Sequence, residues 1–245
     1  RLARRDDPRK VPGALVADSP GKKTYYGYGL QVVTTGVIVL DTVSASENYL
    51  FGAKLNGADV IVDTGLFNNN GTGSGKSGYY DLVGKGLEIT SSSTVTLSNV
   101  EANNNQLFGA NVKAESTVSI NNSFFSGHKV YVYDCNRKDK SINGGGYGLN
   151  VVTNGTVALD NVEAVDNYLY GAHLEGSTVT VSNGDFSNNG SGEVDNPTGF
   201  GLEVISTGQV ALANITANNN QFFGANVKAG ASVTIANSFF SGHQT

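Results

Sequence analysis

The chain holds one cysteine, four prolines, no methionine and no tryptophan in 245 residues. A single thiol excludes an intramolecular disulfide framework. Charge is scarce as well: 15% of residues are Asp, Glu, Lys or Arg, against about a quarter in an average protein. Acidic residues outnumber basic ones, 21 to 16, for a net charge of −5. That balance excludes a strongly basic nucleic-acid-binding domain. No run of 18 apolar residues occurs, so no helical membrane span is expected. A 3.6-residue period long enough for a helix is also missing. What the chain has in excess is glycine, 32 residues. Its length suffices for a sizeable core.

The charge is unevenly placed. Residues 1–23 carry seven of the sixteen basic side chains and only three acids. This stretch includes Pro8, Pro12 and Pro20 and shows no periodicity. It reads as an extended basic arm over 1–27 rather than a domain. Its apolar points, Leu2, Val11, Leu15 and Val16, and its Arg4 and Arg5 are candidate assembly contacts. Residue 1 is not Met and no signal peptide is visible, as in a processed or truncated product.

Beyond the arm the chain repeats itself. Asn103–His128 matches Asn218–His243 at 20 of 26 positions, and GYGLQVV at Gly27 matches GYGLNVV at Gly146. Residues 28–245 therefore divide into two homologous units, about 28–128 and 146–243, joined by an insertion at 129–145. Each unit divides again. Gly-Leu pairs begin at Gly29, Gly86, Gly148 and Gly201, and Gly-Ala pairs begin 23 residues after each. Eight Gly-led turns result. Positions 2, 4, 10 and 12 of a turn are mostly apolar, as in Leu87, Ile89, Val95 and Leu97. Such alternation in Val-, Ile- and Thr-rich segments means short strands with one face buried. Near-constant turn length, with three short strands per turn, means parallel stacking. Turns about 4.8 Å apart would give a rod of roughly 40 Å.

Two polar rows run through the turns. Position 20 holds Asn48, Asn105, Asn167 and Asn220 in odd turns, and Asn70, His128, Asn189 and His243 in even ones. Position 14 holds Thr42, Thr64, Asn99, Asn122, Asn161, Asn183, Asn214 and Asn237. Asparagine tolerates left-handed backbone geometry, and stacked amides can hydrogen-bond along an axis. Both rows are expected to form ladders at corners of a coil.

With its Gly-Leu and Gly-Ala units and its Asn rows, the chain resembles a right-handed parallel β-helix of the pectin-lyase-like superfamily, of the kind found in bacterial surface adhesins and filaments. The likeness covers about residues 27–243. It implies an all-β solenoid of about eight turns with an extended N-terminal arm. This fold hosts many activities, so the likeness leaves function open.

The turns are interrupted at 71–85, 129–147 and 190–200, each time after an even turn. In a stacked coil such insertions must leave from one corner. Tyr79, Tyr80, Tyr131, Tyr133, Tyr147 and Phe200 lie in or beside them. They form either a loop contact face for a glycan or protein, or packing of the loops onto the rod.

No catalytic, metal or cofactor site is expected. Gly71–Ser77 imitates a phosphate-binding loop but has Asn70 where the pattern needs glycine. His128 and His243 occur in Ser-Gly-His, and no aspartate cluster accompanies them. The resemblance to pectate-lyase-like proteins implies calcium-holding aspartates and a nearby arginine. Outside the arm the only arginine is Arg137, and the acids are dispersed. His173 stands alone at an outward slot. Cys135 is either an interchain link or a small packed residue. Asn121 and Asn154 are candidate glycosylation sites; Asn70, Asn189 and Asn214 also begin the triplet but fall on ladder slots.

Near-identical units, low charge and no catalytic cluster point to a non-enzymatic structural protein, extracellular or at the cell surface. It would be a filament subunit or adhesin whose open β-helix ends and arm join copies head to tail, its partner being itself. The last ladder residue lies two positions before Thr245, with no cap expected after it. The alternative is a β-helix that binds or cleaves polysaccharide, with surface glycans as partners. An ice-binding rod would want a flat outward threonine array, and the outward residues here are mixed.

Overall fold

The computed structural model describes residues 27–71, 84–128, 146–190 and 199–243. The arm, the hearts of the three insertions and the last two residues lie outside these. Leu2, Arg4, Arg5, Val11, Leu15, Val16, Tyr79, Tyr80, Tyr131, Tyr133, Cys135 and Arg137 are therefore outside the described residues.

Each described segment forms four strands. The first gives β1 (Tyr28–Val33), β2 (Ile38–Ser44), β3 (Phe51–Gly57) and β4 (Val60–Leu66). The second gives β5 (Lys85–Ser91), β6 (Val95–Glu101), β7 (Phe108–Ala114) and β8 (Val118–Phe124). The third gives β9 (Tyr147–Thr153), β10 (Thr156–Glu163), β11 (Tyr170–Gly176) and β12 (Thr178–Ser182). The fourth gives β13 (Phe200–Ser206), β14 (Val210–Ala213), β15 (Phe223–Ala229) and β16 (Val233–Ala236). Odd strands form one eight-stranded parallel sheet in chain order, and even strands form a second. Every pairing is parallel and skips one strand, as Leu87 opposite Ala110 and Leu97 opposite Ile120 illustrate. The chain is a right-handed parallel β-helix, the hand that parallel crossovers almost always take.

The strand count per coil differs from the expected three. Two strands per coil join the sheets, and the third face shrinks to a residue or two. Glu163, Asp185, Thr216 and Phe239 mark it as single parallel bridges. The position-14 residues cause this. All eight, from Thr42 to Asn237, have φ between 48° and 57°. A left-handed residue turns the strand sharply, so little extended chain remains before the next corner. That next corner is left-handed too. Glu47, Asn69, Asn104, Gly127, Asp166, Asn188, Asn219 and Gly242 precede the position-20 row with φ of 54° to 75°.

The core is a column of inward side chains from both sheets. Leu55, Leu87, Ile89, Leu97, Ile120, Leu149, Leu159 and Leu174 are fully buried. At position 17 alanine and phenylalanine alternate: Ala102, Phe125, Ala164, Phe186 and Ala217 are all at 0% exposure. Small residues between rings let each phenyl occupy the height of two coils. The leading glycines press on one another. A Cβ on Gly148 would lie 2.5 Å from the carbonyl oxygens of Gly171 and Phe125, so only glycine fits that corner.

Candidate functional site

The position-20 row is internal. The backbone N–H of each member donates to the side chain of the next: Asn48 to Asn70, Asn70 to Asn105, Asn105 to His128, His128 to Asn167, Asn167 to Asn189 and Asn189 to Asn220, at 2.8–3.2 Å. Asn70 Nδ2 adds a bond to Asn105 Oδ1 at 2.8 Å. Six of the eight members are buried. His128 Nδ1 accepts the Asn105 N–H at 3.1 Å, and burial pushes the ring down to a pKa of about 4. It is a neutral structural link, closed to solvent.

The position-14 row also forms a ladder at a corner, but it is exposed. Asn161 Nδ2 donates to Asn122 Oδ1 and Asn214 Nδ2 to Asn183 Oδ1, both at 2.9 Å. Asn99 Nδ2 donates to Asp63 Oδ1 at 3.0 Å. Asn214, whose triplet falls on a ladder slot, is thus exposed, whereas Asn70 and Asn189 are buried. Of the glycosylation candidates, Asn121 is half-buried on β8. Asn154 is exposed, and its Nδ2 donates to Glu115 Oε2 at 2.7 Å.

The insertions leave from one corner. Gly71 and Gly84, His128 and Gly146, and Gly190 and Gly199 are their stems. Leu50 N–H donates to Gly27 O, Leu107 to Gly84 O, Leu169 to Gly146 O and Phe222 to Gly199 O, at 2.8–3.0 Å. The exit of the arm at Gly27 therefore shares the column with the insertions.

Beside this corner, on the outer face of the odd-strand sheet, runs an aromatic row. The residue before each leading glycine is Tyr28, Phe51, Lys85, Phe108, Tyr147, Tyr170, Phe200 or Phe223. Parallel in-register pairing stacks them: Tyr28 on Phe51 at 5.2 Å and Tyr170 on Phe200 at 5.1 Å, with planes 8° and 11° apart. Lys85 Nζ sits 4.6 Å from the Phe51 ring centre and 5.5 Å from that of Phe108, a cation taking a ring's place in the stack. Tyr147 and Phe200, singled out beside the loops, belong to this row. Burial raises the phenol pKa of Tyr147 and Tyr170. The row was visible as the residue before every coil glycine, but its meaning depends on register.

A second outward row lies three residues further along each strand, on the same outer face. Burial pulls the Glu88 carboxyl upward, but hydrogen bonds and charge from Lys85 at 2.7 Å and Lys54 at 3.0 Å outweigh it and hold it below the ordinary value. Asn150 Nδ2 donates to Asn111 Oδ1 at 2.8 Å. His173 is not the isolated residue expected. Its Nδ1 lies 2.8 Å from Glu203 Oε2 and its Nε2 2.8 Å from Glu175 Oε1. Between the rows, Lys85, Leu107, Phe108, Asn111, Lys113, Tyr147 and Asn150 line a groove of about 360 Å³. Flat apolar rings beside amides and ammonium groups suit a hydroxyl-rich ligand. Among the described residues no group of three or more His, Cys, Asp or Glu is arranged to hold a metal ion. Among the described residues no helix is long and apolar enough to cross a membrane.

No family model matches the chain, and no curated protein matches it. Among solved structures, the crystal structure of pectate lyase Pel9A superimposes with a TM-score of 0.46 and 18% identity. The match covers 86% of this chain and 50% of that one, so the chain spans half the length of that lyase. The parallel β-helix stands on the chain's own two sheets, and the lyase activity belongs to the lyase.

Proposed function

We propose that this protein is a non-enzymatic structural rod of the extracellular or cell-surface space, a filament subunit or adhesin whose copies join end to end. The observation that carries this reading is the state of the terminal coils. Val233 and Ile235 at one end are 45% and 49% exposed, and the inward Leu30, Val32 and Leu40 at the other are only half-buried, while their counterparts in interior coils, such as Leu87, Ile89, Val95 and Leu97, are fully buried. Open parallel edges with apolar side chains invite further strands. The basic arm, through Arg4 and Arg5, would add attraction between copies of an otherwise acidic rod. Sedimentation velocity and negative-stain electron microscopy of the 245-residue chain test the reading. Concentration-dependent linear species are expected; a monomer at every concentration refutes it.

A second reading rests on the groove between Phe108 and Tyr147. There the rod would bind a polysaccharide, stacking a sugar on a ring edge and bonding its hydroxyls to Asn111 and Asn150. A glycan array together with a lyase assay separates the two. Binding lost on Tyr147→Ala without turnover favours an adhesin. Turnover lost on Arg137→Ala favours an enzyme.

A further inference from the structure

The interior of the rod contains a joint between its two homologous units. Coil β7–β8 closes the first unit and coil β9–β10 opens the second. Val112 lies opposite Val151 in one sheet, and Val118 opposite Val157 and Ile120 opposite Leu159 in the other. All six are at most 2% exposed. Polar groups fix the register. His128 N–H donates to Asn167 Oδ1 at 3.2 Å, and Tyr168 N–H donates to His128 O at 2.9 Å.

Both surfaces of this joint recur at the ends of the rod. The last coil, within Asn218–His243, matches Asn103–His128 at 20 of 26 positions, and Gly27–Asn48 matches Gly146–Asn167 at 13 of 22. The inward residues correspond closely. Val233 and Ile235 stand for Val118 and Ile120, and Ile38 and Leu40 stand for Val157 and Leu159. Val233 and Ile235 are 45% and 49% exposed. Surfaces that bury each other inside the molecule thus recur separately at its two ends, open at Val233 and Ile235, half-buried at Leu40, and with Ile38 packed inward at 4% exposure.

Gly36 is an independent sign of the same contact. Its interior counterpart, Gly155, lies against the β7–β8 coil, where a Cβ would come within 2.3 Å of Ser116 O. At Gly36 a Cβ would meet nothing closer than Thr34 Oγ1, at 3.6 Å. The backbone makes no demand for glycine there. Gly36 has no left-handed φ, and Ser93 and Ser116 hold the same place in their own coils. The neighbouring threonine is repeated as well. Thr153 Oγ1 accepts the Gly155 N–H and donates to Ser116 O, and Thr34 Oγ1 accepts the Gly36 N–H at 3.1 Å. A glycine with open space above it, beside a hydroxyl with the same geometry, fits a carbonyl arriving from another molecule.

We infer that a second copy of this β-helix seats its β1–β2 coil on the β15–β16 coil of the first, in the register that joins β9–β10 to β7–β8. This rests on the end-to-end reading above and adds the contact surface and its register. Val32 pairs with the partner's Val227, Ile38 with the partner's Val233 and Leu40 with the partner's Ile235. Asn48 Oδ1 accepts the N–H of the partner's His243. Gly36 lies under the carbonyl of the partner's Ala231. Both sheets run on through the joint. The contact is heterologous and does not close, so it propagates as a fibre. Each copy contributes eight strands per sheet, an axial repeat of about 38 Å at ~4.8 Å per strand.

The test is sedimentation velocity of the full chain, of Gly36→Leu and of Ile235→Lys, with thermal unfolding of each. Both substitutions fall at open positions, so unfolding midpoints are expected to stay within about 2 °C of the parent. Both are expected to weaken association roughly 10- to 100-fold, because each overfills or charges a packed joint. If both variants associate like the parent, while Arg4→Glu with Arg5→Glu abolishes association, this contact is wrong and end-to-end assembly stands. A parent chain that never associates overturns both.

Discussion

Replacing His128 with asparagine should remove much of the acid sensitivity of this fold. Burial holds the ring at a pKa of about 4, against 6.5 for an ordinary histidine. The unfolded chain therefore takes up a proton near pH 6.5, and the folded chain resists it until about pH 4. Between those values the unfolded state binds more protons, so stability falls as pH falls. The contribution is complete above pH 6.5. It declines by at most ~1.4 kcal/mol per pH unit, to a total loss of about 3 kcal/mol at pH 4. Asparagine is the natural substitute because Asn70 and Asn189 hold the same place in their coils, each accepting a ladder N–H through Oδ1. At neutral pH the variant should lie within about 1 kcal/mol of the parent. Guanidinium unfolding, followed by far-ultraviolet circular dichroism and tyrosine fluorescence from pH 7 down to about 4.5, gives the comparison. Hydrogen bonds hold the Asp59 and Asp160 carboxyls below their ordinary value, and these groups titrate alike in both proteins, so the difference isolates His128. Parallel pH profiles would refute the reasoning, as would a folded-state His128 ring that titrates near 6.5 by NMR.

Other substitutions test the coil itself. Phe125→Ala removes a ring at 0% exposure between two buried alanines and should cost ~3–5 kcal/mol in chemical denaturation. Asn161→Ala keeps a residue at φ 53° without the side chain that bonds Asn122; the expected loss is about 1–2 kcal/mol, and Asn161→Gly should recover most of it. A methyl on Gly148 meets two backbone carbonyls that cannot yield. Gly148→Ala should lower the thermal midpoint more than Gly36→Ala does, and equal midpoints would contradict the packing described for that corner.

Much of the architecture was legible before any coordinates. The leading glycines set the coil length, and their spacing requires eight similar segments. Inward positions such as Leu87 and Val95 could be named because side chains alternate in strands with a period of two. Asn99 and Asn161 announced left-handed corners, since asparagine adopts that backbone conformation most readily among residues with a Cβ. The outward sites were far less legible. His173 looked isolated because its partners, Glu175 and Glu203, include one from the next coil. The aromatic row is visible as the residue before each coil glycine, but its stacking is not, because Tyr28, Phe51 and Phe108 are tens of residues apart and meet only through the register.

Local chemistry, repeated with a near-constant period, was enough to specify a coil: propensity, alternation and corner residues act over a few neighbours and need no long-range information. Stacking decided the rest. It made the position-20 row a buried chain of bonds and left the position-14 row in water. It also reduced the third face to single bridges and turned two similar segments into a joint whose halves reappear at the ends. Those outcomes depend on which coil lies above which, and on where solvent is excluded. Such facts belong to distances between coils, which no residue carries by itself.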